Sequence, residues 1–172
     1  AALQPVLAGL MVDEVVRITA VGDIMLDRYL GEKIAVRGQI DYPFAKMLGI
    51  FAGADLLTGN FESALGDVGE PADKIYQFQS PPEAAQTLAN AGFDLVTLAN
   101  NHALDYGADA LLQGIDLLHE QGVATVGAGV DAAAARTAFI TQTNGLTIAA
   151  LGYVHVPKEG GGLGFDTESW TA

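Results

Sequence analysis

Four short apolar stretches alternate with more polar segments along the first three quarters of the chain. Each is rich in β-branched or aliphatic residues and stops abruptly at glycine, asparagine or a carboxylate, a pattern typical of buried β-strands. The stretches are VVRITAVGD (15–23), ADLLTGNFE (54–62), FDLVTLAN (93–100) and VATVGAG (123–129). We therefore predict four strands separated by other elements.

Apolar residues recur at helical spacing between these strands. One such pattern opens after Tyr42-Pro43 and consists of Phe44, Met47, Leu48 and Phe51. A second stripe ends at Gly122 and consists of Leu111, Leu112, Ile115 and Leu118. Spacings of three and four residues place such side chains on one helix face, so both stretches are predicted to be helical.

A third helix is predicted from its end signals. Ser80-Pro81-Pro82-Glu83 has the form of a capping box with Ser80 as N-cap, and Gly92 is expected to stop the helix after about Ala91. The preceding residues 66–79 are polar and contain glycine and proline, so they are predicted to form a long surface loop of the kind that is often functional. Residues 131–136 suggest a short alanine-rich helix or turn.

The segments TAFITQT and LTIAALGY flank Asn144-Gly145, which predicts a β-hairpin. Strands that alternate with helices favour a largely parallel sheet, here followed by an antiparallel hairpin after Arg136. The predicted fold class is α/β, or mixed α+β, in a single domain of residues 1–172.

Composition narrows the possible functions. The 172 residues carry 21 acidic and 8 basic side chains, a formal charge of −13, which disfavours binding to nucleic acid or anionic membranes and favours divalent cations. No cysteine is present, so any metal must be held by oxygen and nitrogen ligands. Residues 1–16 lack the basic start of a signal peptide and are interpreted as a lead-in strand or the remnant of a removed signal.

Polar residues gather where the predicted strands end. Such residues follow the first three strands and the last hairpin strand, and they are Asp23, Asn60, Glu62, Asn100, Asn101, His102 and His155. Ligands of parallel sheets bind beyond the carboxyl ends of the strands. Aspartate, glutamate, asparagine and histidine together are ligands for a hard or borderline divalent metal, so this sheet edge is a candidate metal site.

Taken singly, each residue has an ordinary structural interpretation. Asp23 and the asparagines suit turns, Glu62 suits a solvated carboxylate, and Asp105 is favoured as the N-cap of the following helix. His155 is interpreted as structural, and His119 as a surface residue near a helix C-terminus. Only their occurrence together at successive strand ends favours an active site.

Three motifs carry a family resemblance: GDIML (22–26), GNFES (59–63), and ANNHALDYG (99–107) followed by a helix and a VGAG strand. From about Arg17 to Tyr153 the chain resembles the CapA family of capsule and poly-γ-glutamate synthesis proteins, which is similar in fold to calcineurin-like metallophosphoesterases. The resemblance implies a metallophosphatase-like β-sandwich flanked by helices, with metals at one edge. It also implies that this chain holds the N-terminal part of the full fold.

The resemblance assigns roles to four residues. Asp23, Glu62 and Asn101 are expected to hold a divalent metal (Mn, Zn, Fe or Mg), and His102 is expected to protonate a leaving group. Arg28 or Lys33 is a candidate second positive contact for an anionic substrate. The aspartate-x-histidine opening of true phosphoesterases is absent, because Ile24 and Met25 follow Asp23.

Two functions follow as expectations from the resemblance. One is a metal-dependent hydrolase acting on a phosphate ester or related anionic bond; the other is a non-catalytic binding or export component of capsular polymer assembly. The expected partners are an anionic small molecule or polymer, such as a phosphate ester or poly-γ-glutamate, and other capsule-synthesis membrane proteins. The expected location is extracellular or at the cell surface. A nucleotide-binding domain is disfavoured, because GDIMLDRYLG lacks the GxGxxG pattern.

Overall fold

The four apolar stretches form one parallel sheet in the computed structural model, which describes residues 15–155. In chain order the strands are β1 (Ile18–Ile24), β2 (Leu56–Phe61), β3 (Ala64–Leu65), β4 (Gln79–Ser80), β5 (Leu95–Thr97), β6 (Ala124–Val126), β7 (Phe139–Thr143) and β8 (Leu146–Ala150). The main sheet has the order β1-β2-β5-β6, and every neighbouring pair is parallel. The largely parallel sheet is therefore confirmed, with strands shorter than the apolar runs that predicted them.

Two smaller pairs of strands accompany the main sheet. The parallel pair β3-β4 bounds the long loop between Leu65 and Gln79, and β7-β8 is the antiparallel hairpin predicted around Asn144-Gly145. Asn144 and Gly145 both have positive φ, 48° and 79°, as a two-residue type I′ hairpin turn requires.

Within residues 15–155, five short or medium helices flank these strands. They are α1 (Arg28–Gly31), which continues as a π-helix over Glu32–Val36, α2 (Leu48–Phe51), α3 (Ala84–Ala91), α4 (Gly107–Glu120) and α5 (Ala132–Ala135). Gly92 adopts φ 89° and ends α3, as predicted. Asp131 caps α5 by accepting a hydrogen bond from the backbone N–H of Ala134. The mixed α/β class, a parallel sheet flanked by helices, is confirmed.

Two helix predictions need correction. The capping box at Ser80 is wrong: α3 begins only at Ala84, and the Ser80 hydroxyl contacts the buried Ser63 hydroxyl at 3.1 Å while Ser80 pairs in β4. The helical pattern from Phe44 is helical only from Leu48, because residues 41–47 form hydrogen-bonded turns instead. At Ser80, contacts formed across the fold outweigh the local signal.

The core lies between the main sheet and its helices. β2, the second strand of the sheet, is apolar and buried along most of its length, whereas edge strand β1 is largely exposed. Gly59 in β2 permits close packing of the first two strands, since a Cβ there would come within 2.7 Å of side chains of Val21 and Ile24. Within residues 15–155, no helix has the length and apolar character that a bilayer-crossing segment needs.

Candidate functional site

Asp23 and Glu62 are joined through one amide at the carboxyl ends of β1 and β2. Asp23 pairs with Asn60 in the strand register, and Asn60 Nδ2 donates to Asp23 Oδ1 at 2.9 Å. The same nitrogen donates to Glu62 Oε2. The structure thus brings two of the four predicted site residues together, with an amide group between their carboxylates.

Asn100 connects this pair to the turn that carries His102. Its side chain is buried, and its Nδ2 donates to Asn60 Oδ1 at 2.9 Å and to the carbonyl of Phe61 at 2.8 Å. Its Oδ1 accepts the backbone N–H of His102 at 2.9 Å. Asn100 therefore fixes the position of the His102 turn against the end of β2.

His102 is held by Asp105. The two residues lie in one turn, both are buried, and His102 Nδ1 is 2.7 Å from Asp105 Oδ2. Lys74 Nζ also lies 3.4 Å from His102 Nδ1, but an ammonium cannot accept a hydrogen bond from the ring nitrogen. The shorter contact with the carboxylate favours a proton on Nδ1, which leaves Nε2 as the ring nitrogen that can exchange a proton with a substrate.

Asp105 is a central acceptor of the site, so its prediction as a helix N-cap is wrong. Helix α4 begins at Gly107 with Tyr106 at the N-cap position, and no side chain caps it. The fully buried carboxylate of Asp105 instead accepts from Lys74 Nζ at 2.6 Å and from the backbone N–H of Phe78 at 2.7 Å, besides its contact with His102. These tertiary partners hold it away from the helix terminus.

Lys74 brings the long loop into the site. Besides Asp105, its ammonium contacts the carbonyl oxygen of Asn101 at 2.9 Å, and its side chain is only 8% exposed. Asn101 is thereby held beside His102 through its backbone. The loop over residues 66–79, predicted as a functional excursion, supplies a buried positive charge to the site.

Phe78, at the end of the same loop, covers the His102 ring. The two ring centroids are 4.3 Å apart, and the guanidinium carbon of Arg28 lies 4.9 Å from the Phe78 centroid. Arg28 is therefore linked to His102 through the Phe78 ring. Lys33, the other candidate positive contact, lies over the rings of Tyr29 and Tyr42 instead.

Two carboxyls of the site have raised pKa values. Burial raises the pKa of Glu62, and the negative charge of Asp23 raises it further, while the hydrogen bond from Asn60 lowers it. Burial also raises the pKa of Asp27, which the charge of Arg28 partly offsets. Asp27 Oδ1 is buried and finds no hydrogen-bond partner among the described residues; the nearest cation is Arg28 Nε at 4.0 Å.

The donors at this edge fit a hard divalent cation in kind. Asp23, Glu62 and the asparagine amides offer oxygen atoms, which Mg²⁺ and Mn²⁺ prefer, and a cation would relieve the repulsion that raises the pKa of Glu62. Within residues 15–155, no group of three or more His, Asp or Glu side chains is arranged to hold a metal. The candidate ligand set among the described residues is therefore the Asp23 and Glu62 carboxylates, to which Asn60 turns its Nδ2 while its Oδ1 accepts from Asn100.

The other histidines play different parts. His119 is exposed on α4 and its Nε2 lies 3.0 Å from the Thr125 hydroxyl, as expected for a surface residue. His155 is exposed and follows the end of β8 at Ala150, so its interpretation as a structural residue is wrong.

Sequence reasoning missed Lys74, Asp27 and the linking role of Asn100. Lys74 stands in a polar loop 31 residues before Asp105 and carries no local signal. Asn60 and Asn100 lie inside the motifs that predicted the polar sheet edge. Their closeness in sequence to Glu62 and His102 is the signal that could have indicated a role at the site.

Comparison with known proteins gives a consistent set of matches. A family model described as bacterial capsule synthesis protein PGA_cap matches residues 17–170. The chain is 34% identical over 151 residues to the PGA biosynthesis protein CapA of Bacillus subtilis (strain 168), an alignment that covers 86% of this chain. It is 33% identical over 145 residues to the capsule biosynthesis protein CapA of Bacillus anthracis, covering 82% of this chain.

A more distant relative has a related description. A probable polyglutamine synthesis accessory protein of Mycobacterium tuberculosis is 28% identical over 156 residues, or 89% of this chain. The chain spans 40% of the length of the B. subtilis protein, 35% of the B. anthracis protein and 40% of the M. tuberculosis protein.

Proposed function

Because this chain belongs to the bacterial capsule synthesis protein family PGA_cap, we propose that its strand-end site is a metal-dependent hydrolase site that serves capsule or poly-γ-glutamate biosynthesis. One observation carries the proposal: the buried His102–Asp105 pair is linked through Asn100 and Asn60 to the Asp23 and Glu62 carboxylates. A proton donor and a cation-binding carboxylate pair at one sheet edge are the parts that hydrolysis of an anionic ester needs.

In this proposal Asp23, Glu62 and Asn101 hold a divalent ion, with Mn, Zn, Fe and Mg as candidates. When bound, such an ion lowers the pKa of a coordinated water and neutralises substrate charge. Neutralisation is needed because the chain carries a formal charge of −13 and would otherwise repel an anion.

His102 acts as the general acid. Water adds to the ester phosphorus, the bond to the leaving oxygen breaks, and His102 Nε2 gives its proton to that oxygen. Asp105, at 2.7 Å from Nδ1, fixes the ring orientation and stabilises the protonated imidazole. Phe78 covers one side of the ring and restricts access of water to it.

The proposed substrate is an anionic small molecule or polymer, either a phosphate ester or poly-γ-glutamate. The relatives named for PGA and capsule biosynthesis support a polymer-linked role. We further propose an extracellular or cell-surface location and association with other membrane proteins of capsule synthesis, on the strength of the family alone.

A second candidate function is a binding or export component without turnover. Two observations favour it: Ile24 and Met25 stand where true phosphoesterases place a histidine ligand, and no group of three His, Asp or Glu side chains within residues 15–155 could hold a metal. Such a protein would bind the polymer or a cation but leave bonds intact.

Hydrolysis of p-nitrophenyl phosphate with added Mn²⁺ separates the two functions. For a hydrolase, His102→Ala should lower kcat about 10²-fold or more, the usual contribution of a general acid. His119→Ala, a change at an exposed histidine, serves as the matched control and should leave kcat unchanged. If calorimetry shows tight Mn²⁺ binding but no divalent metal supports turnover, the non-catalytic function is favoured.

A further inference from the structure

Arg28 has an unusual backbone conformation. Its φ is 50°, and among residues 15–155 Asn144 is the other non-glycine residue with positive φ. Asn144 lies in a hairpin turn that requires this conformation, whereas Arg28 opens helix α1. Left-handed backbone is costly for a residue with a large side chain, and such strain is found preferentially at active sites and ligand-binding positions.

The strained residue contacts the aromatic ring that packs on the proposed catalytic histidine. The guanidinium carbon of Arg28 lies over the Phe78 ring, 4.9 Å from its centroid, and the Phe78 ring contacts the His102 ring in a tilted arrangement with 4.3 Å between centroids. A guanidinium placed over an aromatic ring keeps its N–H groups available at the edge. Arg28 can therefore donate to an anion while it contacts Phe78.

The charge of Arg28 is weakly compensated. Its side chain is 59% exposed, and the nearest carboxylate, that of Asp27, is 4.0 Å from Nε. Other cations have closer contacts: Arg37 is 2.6 Å from Glu32, and Lys74 is 2.6 Å from the buried Asp105. In a chain of charge −13, Arg28 offers an anion a positive group that needs no displacement of a tight ion pair.

Arg28 also lines a cleft of about 450 Å³ between α1 and the ends of the long loop. Gly31, Gln79 and Pro81 form part of its wall. Two carboxylates reach the same cleft, but Glu32 is bound by Arg37 and Asp67 Oδ1 accepts from Gln113 Nε2 at 2.7 Å. The cleft thus combines an available guanidinium with acidic groups that are already engaged.

We propose that Arg28 binds an anionic group of the substrate in this cleft, while its guanidinium also contacts the Phe78 ring that packs on His102. The group is a carboxylate or a phosphate, both of which match the planar pair of guanidinium N–H donors. This inference rests on the proposed function only in taking His102 as the reacting side chain.

Equilibrium binding tests the assignment without requiring turnover. Calorimetry would measure two probes against the chain, inorganic phosphate and a trimer of γ-linked glutamate, to distinguish a phosphate from a polymer carboxylate. The variants are Arg28→Gln, Arg28→Lys and Lys33→Gln. Lys33 is the matched control, because its ammonium lies over Tyr29 and Tyr42 and its removal changes the net charge by the same amount.

Arg28→Gln should weaken binding of at least one probe about tenfold or more, as expected for loss of a charge-assisted bidentate contact. Arg28→Lys should restore part of that affinity, and Lys33→Gln should change it by less than about twofold. The probe whose affinity falls identifies the anion. If Arg28→Gln and Lys33→Gln lose equal affinity, net charge alone explains the change in binding and the proposal is overturned. The proposal is also overturned if the wild-type chain binds neither probe.

The binding assay separates this proposal from the hydrolase function. Turnover that depends on His102 but not on Arg28, with unchanged anion affinity in Arg28→Gln, would refute the Arg28 site and keep the hydrolase. Arg28-dependent anion binding without any turnover would support the Arg28 site and refute the hydrolase function. Thermal unfolding of Arg28→Gln should match the wild type, since the substitution retains a side chain at the same strained φ.

Discussion

Asp105 shows how much one buried side chain organises at this site. Its carboxylate accepts hydrogen bonds from Lys74, from the Phe78 backbone and from His102, and its carbonyl accepts from Ala72 at 2.8 Å. One residue therefore holds the long loop at three points, Ala72, Lys74 and Phe78, and orients the imidazole. Because it is fully buried, its charge is compensated only by these partners.

Asp105→Asn should destabilise the protein by about 3–5 kcal/mol, because it breaks the buried ion pair in which the Lys74 ammonium lies 2.6 Å from the carboxylate. Urea denaturation measures the change. The exposed Asp116→Asn on α4 is the control and should stay within about 0.5 kcal/mol of the wild type. Adding Lys74→Met to Asp105→Asn should recover part of the loss, and strictly additive effects would contradict a direct coupling of the two charges.

Asp27 gives a pH-dependent prediction. Burial raises its pKa above the usual 3.8, so the folded state binds more protons than the unfolded state above that pH. The free energy of unfolding contributed by Asp27 therefore falls as the pH rises from about 4 through the folded pKa. Asp27→Asn should stabilise the protein by about 1 kcal/mol at pH 7, since it replaces a carboxylate whose charged form is disfavoured by burial with a neutral amide.

Urea denaturation at pH 7 and at pH 3.5 would test the Asp27 prediction. The stabilisation should be present at the higher pH and nearly absent at the lower, where the carboxyl of the wild type is also neutral. Asp116→Asn, at an exposed position, should show no comparable difference between the two pH values. Destabilisation by Asp27→Asn at pH 7 would mean that the carboxylate charge is favourable in the folded state.

At the scale of elements, the sequence predicts the strands and the sheet edge well. It predicts poorly which residues contact one another across the fold. Strand and helix types follow from local periodicity, and the parallel sheet follows from their alternation. Ser80 and Asp105 both carry good local capping signals, yet Ser63, 17 residues away, and Lys74, 31 residues away, engage them instead. No periodicity along the chain reports partners at such separations.

The loop over residues 66–79 shows the same difference between local signals and tertiary contacts. Its length and polarity indicate a functional segment, but its path depends on close packing at Gly69. Gly69 has φ 88°, and a Cβ there would collide with the carbonyl oxygen of Tyr106, just before helix α4. This contact brings the loop against the turn that carries His102 and Asp105.

Gly69→Ala should therefore cost about 2–4 kcal/mol, the sum of left-handed strain and overpacking against backbone. Gly38→Ala is a matched control: Gly38 has φ 61° but no atom within 4 Å of an added Cβ, so only the strain of about 1–2 kcal/mol remains. Urea denaturation would give both values, and limited proteolysis would report release of the loop. Equal costs for the two substitutions would show that the loop tolerates displacement from Tyr106.

At the scale of the whole molecule, negative charge dominates. The formal charge of −13 strengthens the attraction of divalent cations everywhere on the surface, so binding of a metal is not by itself evidence for a specific site. The carboxyl ends of β1 and β2 differ from the remaining surface because Asp23 and Glu62 share one amide and Asp23 helps raise the pKa of Glu62. A test of the metal site must separate specific binding by Asp23 and Glu62 from the general attraction of cations to the acidic surface.

A specific ion at this edge should stabilise the fold by mass action. Mn²⁺ at one hundred times its dissociation constant should add about 2.7 kcal/mol, which corresponds to a rise in Tm of roughly 5–11 °C for a domain of this size. Asp23→Asn combined with Glu62→Gln should abolish the rise. Asp109→Asn combined with Asp116→Asn removes the same charge from exposed positions of α4 and should preserve it. Differential scanning calorimetry in KCl of matched ionic strength measures all three proteins. If both double variants retain the full Mn²⁺ effect, the ion acts by screening the acidic surface, and Asp23 and Glu62 are not its ligands.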